Sequence, residues 1–137
     1  GAADPHNGYG PNSFRRLAHA GQTIKLFGKG EERRDHIYIE DVAKIISLVL
    51  NHCSQGSLNI ATGQVHSFYE IAQLAIQISE KSVTLETSER KGDMPHGGHR
   101  PFDITALYQA FPNFRYTSLK AGMALSQKHM VNEGSSL

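Results

Sequence analysis

Four places in this sequence bring together residue types that could do chemistry. Gly28-Lys29-Gly30-Glu31-Glu32-Arg33 begins like a dinucleotide fingerprint, in which glycines let backbone N–H groups close on a pyrophosphate. Arg33 stands where the third glycine is needed and no βαβ unit follows, so a plain turn is the better reading. Tyr116-Thr-Ser-Leu-Lys120 has the spacing of a tyrosine base and the lysine that lowers its pKa. That chemistry needs both on one helical turn; Thr117 reads as a helix cap, which leaves Tyr116 off the helix. His96-Gly-Gly-His99 could put two imidazoles on one metal, but no third ligand lies nearby and glycine sets no geometry. A solvated loop is the simpler reading. Arg33-Arg34 and Arg100 are more informative. A guanidinium presents a planar fork to phosphate oxygens, and two arriving from distant segments suit a diphosphate. Taken alone, surface ion pairing with Asp35 or Asp103 explains them as well.

The elements that must position these residues alternate between strand and helix. Residues 1–13 read as loop, followed by a short helix over 13–19 that Gly21 stops. Gln22 to Phe27 alternates as a half-buried strand, and Arg34 to Ile39 is a second. Asp41 offers an N-cap for a helix to Asn51 whose Val42, Ile45, Ile46 and Val49 share one face. Leu58 to Ala61 reads as a short strand, and Ser67 with Glu70 is a capping box opening a helix to Ser79. Ser82 to Thr87 is a further strand, Lys91 to Pro101 a loop, 106–110 a short helix, and Thr117 caps a last helix to about Val131. The class is mixed α/β: one domain over 1–131 and a disordered tail over 132–137.

Composition narrows the function. The chain has 137 residues, 39% of them hydrophobic, enough for a packed core. Its 14 basic and 13 acidic side chains are well mixed, which argues against nucleic acid as a partner. Arg15 and Arg16 read as ordinary surface charges. The longest apolar run, Ile45 to Leu50, is too short for a membrane span. Cys53 is alone, so no disulfide forms within the chain, and a reducing, cytoplasmic setting is expected.

The order of the segments carries more than any one of them. Tyr9-Gly-Pro-Asn12, Ile24-Lys-Leu-Phe27-Gly28 and Arg34-Asp35-His-Ile-Tyr-Ile-Glu40-Asp41-Val-Ala43 come first. Gly56-Ser-Leu-Asn-Ile-Ala-Thr-Gly63, Arg100-Pro-Phe-Asp103 and Thr117-Ser-Leu-Lys-Ala-Gly122 follow. Together they resemble the C-terminal half of the extended short-chain dehydrogenase/reductases, the NAD-dependent epimerase/dehydratase family acting on nucleotide sugars.

That resemblance implies a substrate-binding half, with the Rossmann core absent from this chain. The parent enzyme would be an epimerase (an isomerase) or a dehydratase (a lyase) of carbohydrate metabolism, moving hydride to and from NAD or NADP. This chain would hold no catalytic residue, no bound cofactor and no metal. Asn12, Arg34 and Arg100 would grip the diphosphate of a nucleotide-diphosphate sugar, and Leu26 and Phe27 would line the nucleobase slot. Asp35 and Asp103 would orient those arginines or cap elements. The missing Rossmann half would be a partner, a homo-oligomer is possible, and Ile37, Ile39, Leu58 and Ile60 would be left bare for a covering surface. The alternative is a non-catalytic interaction module that keeps the scaffold without the ligand site.

Overall fold

The computed structural model describes residues 8–90 and 92–134. Helix α1 (Pro11–His19) starts with proline at its first position, where the missing N–H costs nothing. Strand β1 (Ile24–Phe27) buries alternate residues, Ile24 and Leu26. Strand β2 (Arg33–Asp35) is followed by helix α2 (Ile39–Asn51), strand β3 (Val65–Ser67) and helix α3 (Phe68–Ser79). Strand β4 (Leu85–Ser88), a 3-10 turn at Pro95–Gly98, strand β5 (His99–Arg100), helix α4 (Thr105–Ala110) and helix α5 (Leu119–Gly134) complete the order.

Two small sheets result. β1 and β4 are parallel, with Ile24 opposite Leu85 and Phe27 opposite Ser88. β2 is the centre of the other sheet, antiparallel to β3 and parallel to β5. Phe14 and Ala18 of α1 and Phe68, Ile71, Ala72 and Ala75 of α3 close over Ile24 and Leu26 in one core. Parallel strands joined by a crossover and covered by helices are Rossmann-like layering. The expectation of a chain without any such core is corrected on this point.

A second core gathers Ile45, Leu107 and Phe111, with Ile37, Leu58 and Ile60 packed against it. Three of the four residues expected to lie bare are therefore covered from within the chain. Ile39 is the exception, at 69% exposure.

The capping box forms as read: the Ser67 hydroxyl accepts the Glu70 N–H at 3.1 Å, and the Glu70 carboxylate accepts the Ser67 N–H at 2.7 Å. Other local expectations shift. β2 ends at Asp35, and α2 begins at Ile39, so Asp41 lies inside the first turn and not at the cap. Its fully buried carboxylate instead accepts the Thr117 N–H at 2.6 Å and the Thr117 hydroxyl at 3.0 Å. Thr117 is thus tied to α2 and caps no helix. Leu58 to Ile60 runs without a strand partner among the described residues, and residues 99–100 of the expected loop join the sheet as β5. Helix α5 extends through Gly134; the rest of the expected tail, 135–137, lies outside the described residues, as do 1–7.

Candidate functional site

The sheet built on β2 sets the geometry of the arginines. In its parallel register Arg34 stands opposite Arg100, and Arg33 opposite His99. Residues opposite one another project to the same side of a sheet, so the two guanidinium groups share a face. Glu32 offsets the charge of Arg34, so the positive charge left on this face for an anion is mainly that of Arg100. Arg34 donates to the Arg33 carbonyl at 2.8 Å and contacts the Glu32 carboxylate. Glu32 also takes Arg90, whose Nη2 donates at 3.2 Å. Arg100 is exposed, with its guanidinium 5.6 Å from the Phe102 ring centroid and Nη1 3.3 Å from His96 Nε2. No ion pair involves Arg100 among the described residues.

Asp35 faces away from both arginines in its bonding. Its carboxylate accepts the Thr62 N–H at 3.1 Å, the Thr62 hydroxyl at 2.6 Å and the Gly63 N–H at 2.7 Å. Asp103 accepts the Thr105 hydroxyl at 2.6 Å and its N–H at 2.9 Å, which holds the start of α4 and lowers the carboxyl pKa. Leu26 is fully buried in the first core, and its carbonyl accepts the Ser88 hydroxyl at 2.8 Å. Phe27 is 56% exposed beside Tyr9, the ring centroids 4.6 Å apart.

Asn12 lies elsewhere. It lines a cavity of about 550 Å³ between α1, the segment 36–40 and α5, together with Arg15, His36, Leu119, Met123 and Ser126. Neither Arg34 nor Arg100 lines this cavity. Arg15, read from sequence as a surface charge, is 2% exposed there. The signal available was its place one residue after Phe14 and three before Ala18, along the buried stripe of α1. Burial pushes the His36 imidazole below its ordinary pKa; Asp35 opposes this, and His66 and Arg34 add to it. Tyr116 precedes α5, which begins at Leu119, so it and Lys120 do not share a helical turn. Among the described residues no group of three His, Cys, Asp or Glu could hold a metal.

This arrangement of sheets and helices is that of an α/β protein with similarity to epimerases of nucleotide sugars. The model of the NAD dependent epimerase/dehydratase family matches residues 4–61. The chain is 26% identical over 132 residues to ADP-L-glycero-D-manno-heptose-6-epimerase of Fusobacterium nucleatum, covering 94% of this chain and 37% of that one. A UDP-N-acetylglucosamine 4-epimerase from Methanobrevibacter ruminantium, solved with UDP-N-acetylmuramic acid, superposes with a TM-score of 0.79 at 19% identity. It covers 97% of this chain and 42% of that one. A UDP-glucuronic acid 4-epimerase from Bacillus cereus, solved with a fluorinated UDP-sugar and NAD, gives a TM-score of 0.76 at 18% identity, over 94% of this chain and 41% of that one. The chain thus spans about two fifths of the length of these relatives. The family match over residues 4–61 and the shared fold make this chain similar to the NAD dependent epimerase/dehydratase family.

These findings correct the account of a purely substrate-binding half. The family match falls on the N-terminal part of this chain, and structures solved with NAD or NADH align over more than nine tenths of it. The expectations of an absent NAD-binding core, of a missing Rossmann half as partner, of a chain without its catalytic part and of a chain that meets no cofactor are withdrawn. So is the module without a ligand site.

The glycines show where a dinucleotide does not fit. At Gly28 an added Cβ would meet the Glu31 carboxylate at 2.8 Å, and that carboxylate already accepts the Lys29 N–H at 2.7 Å. The turn leads into β2 and not into a helix. A pyrophosphate would face a fixed negative charge there, so the turn from Gly28 to Gly30 is no cradle for NAD.

Among the described residues no helix is long and apolar enough to cross a membrane.

Proposed function

We propose that this chain is part of an NAD-dependent enzyme acting on a nucleotide-diphosphate sugar, and that Arg34 and Arg100 bind the diphosphate. The observation that carries this reading is their opposition in parallel register on one sheet face. A diphosphate on this face gains charge-assisted hydrogen bonds from the exposed Arg100 and, by taking the place of the Glu32 carboxylate, from Arg34. Phe27, exposed beside Tyr9, offers the apolar surface on which a nucleobase stacks. Asn12, which lines a separate cavity, is left out of this reading. The family match over residues 4–61 and the NAD complexes of similar structures support the cofactor. When bound, the dinucleotide supplies hydride transfer, and this chain's residues hold the sugar nucleotide in register for it. A cytoplasmic setting is proposed on the exposed free thiol of Cys53.

Phosphorus NMR of UDP-glucose titrated with the protein tests this. Both phosphorus resonances should shift, and glucose added alone should not compete. Unmoved resonances at saturating protein would remove the diphosphate from this face.

A further inference from the structure

Among the described residues, the cavity between α1, the segment 36–40 and α5 holds a buried cation with no ion pair. Arg15 is 2% exposed, and its three hydrogen bonds to described residues all leave from Nη1. They go to the Ser126 carbonyl at 3.0 Å, Gln127 Oε1 at 3.4 Å and the Met130 sulfur at 3.5 Å, every one a neutral acceptor. Nε is buried and has no acceptor among the described residues. The edge formed by Nε and Nη2, the fork that a carboxylate or phosphoryl group takes side-on, is therefore unspent. His36, another residue of the cavity's lining, has its Nε2 buried and without a partner among the described residues.

A buried charge is ordinarily paired, because an unpaired one forfeits its hydration without compensation. Glu40 also lines the cavity, with its carboxylate 3.9 Å from His129 Nε2 and in no ion pair with Arg15. Burial and the neighbouring Arg16 both lower the Arg15 pKa, as expected of a cation without a carboxylate beside it. The walls add the polar side chains of Asn12, Ser118, Ser126 and His129 beside Leu119 and Met123, and about 550 Å³ is the size of a small-molecule site.

We propose that this cavity binds a small organic anion whose carboxylate or phosphoryl group pairs with Arg15. The site is distinct from the Arg34–Arg100 face, neither of whose arginines lines it, so it stands or falls independently of the diphosphate reading.

The test uses thermal unfolding of the protein in chloride buffer, with acetate or inorganic phosphate added as probes. A bound anion should raise the midpoint by about 3 °C near saturation. Acetate acting alone identifies a carboxylate site, and phosphate alone a phosphoryl site. Arg100→Ala, which removes the separate anion-binding face, should keep a rise, and adding Arg15→Met to it should abolish that rise while leaving the protein as stable in chloride as Arg100→Ala alone, since a hydrophobic side chain of similar volume replaces an unpaired buried charge. As a second measurement, the Arg15 Nε–H resonance of the unaltered protein should move with the probe that stabilises, and Arg15→Lys should retain a weakened response. A rise that persists when Arg15→Met is added to Arg100→Ala, or an Nε–H resonance indifferent to both probes, would overturn the proposal.

Discussion

Arg34 and Arg100, 66 positions apart in the chain, stand directly opposite each other in the parallel pairing of β2 and β5. The strands are short, and β5 is only His99–Arg100, so this contact depends on what fixes their ends. On one side Glu32 ties Arg34 and Arg90 together, and on the other Asp35 holds the turn at Thr62 and Gly63. The arginine face is therefore the product of two carboxylates that touch no ligand in this reading.

Glu32→Gln should loosen the face without removing either arginine. Its carboxylate is only 12% exposed and serves two guanidinium groups that are 18% and 20% exposed. Breaking such a partly buried network costs about 2 kcal/mol. Urea unfolding should show the midpoint falling with the slope unchanged.

Asp41→Ala should be among the most destabilising single changes. The carboxylate is 1% exposed and holds the Thr117 N–H and hydroxyl as well as Lys44 at 3.3 Å. Loss of these charge-assisted bonds leaves buried donors unpaired, at a cost of about 3 kcal/mol. Thermal unfolding checks it.

Gly30→Ala tests the turn between β1 and β2. Gly30 has φ +72°, and an added Cβ would lie 2.7 Å from Leu26 Cδ1 and 2.9 Å from the Tyr69 N atom. The left-handed backbone and the overlap together should cost about 2–4 kcal/mol. Gly56→Ala, also at positive φ but with nothing within 4 Å, should lose only the backbone part, about 1–2 kcal/mol.

His36 predicts a pH dependence. Burial holds its folded pKa below the ordinary value of 6.5, so the unfolded chain takes up the proton first. The sign follows: this contribution to stability is complete above about 6.5 and is lost as the pH falls through that value. Melting curves between pH 7.5 and 5.5 should show a steeper fall for the unaltered protein than for His36→Gln. Equal slopes would mean that burial leaves this imidazole unperturbed.

Local signals were legible where one residue type admits one geometry. The pair Ser67 and Glu70 reads as a capping box and forms one, because both partners lie within four residues. Asp41 misleads for the opposite reason. Its spacing suits a cap, but the acceptor is claimed by Thr117, 76 residues away, which no local pattern reveals. The stretch from His36 to Tyr38 reads as strand through its β-branched and aromatic residues, yet β2 ends at Asp35 and α2 starts at Ile39. Arg15 shows the limit for the site. Charge places it on the surface in sequence, and only the approach of α5 from the far end of the chain buries it.

A double-mutant cycle on binding of UDP-glucose tests the diphosphate reading most directly. Arg34→Ala and Arg100→Ala, with the exposed Arg115→Ala as control, would be titrated calorimetrically. Each of the first two should weaken binding by about 1.5–3 kcal/mol, roughly 10–150-fold, and Arg115→Ala should leave it unchanged. Because both forks hold one ligand, the double variant should lose less than the sum, with a coupling of at least about 0.5 kcal/mol. Binding of Arg34→Ala and Arg100→Ala indistinguishable from that of Arg115→Ala would contradict the account, and losses that simply add would mean that the two arginines do not share a diphosphate.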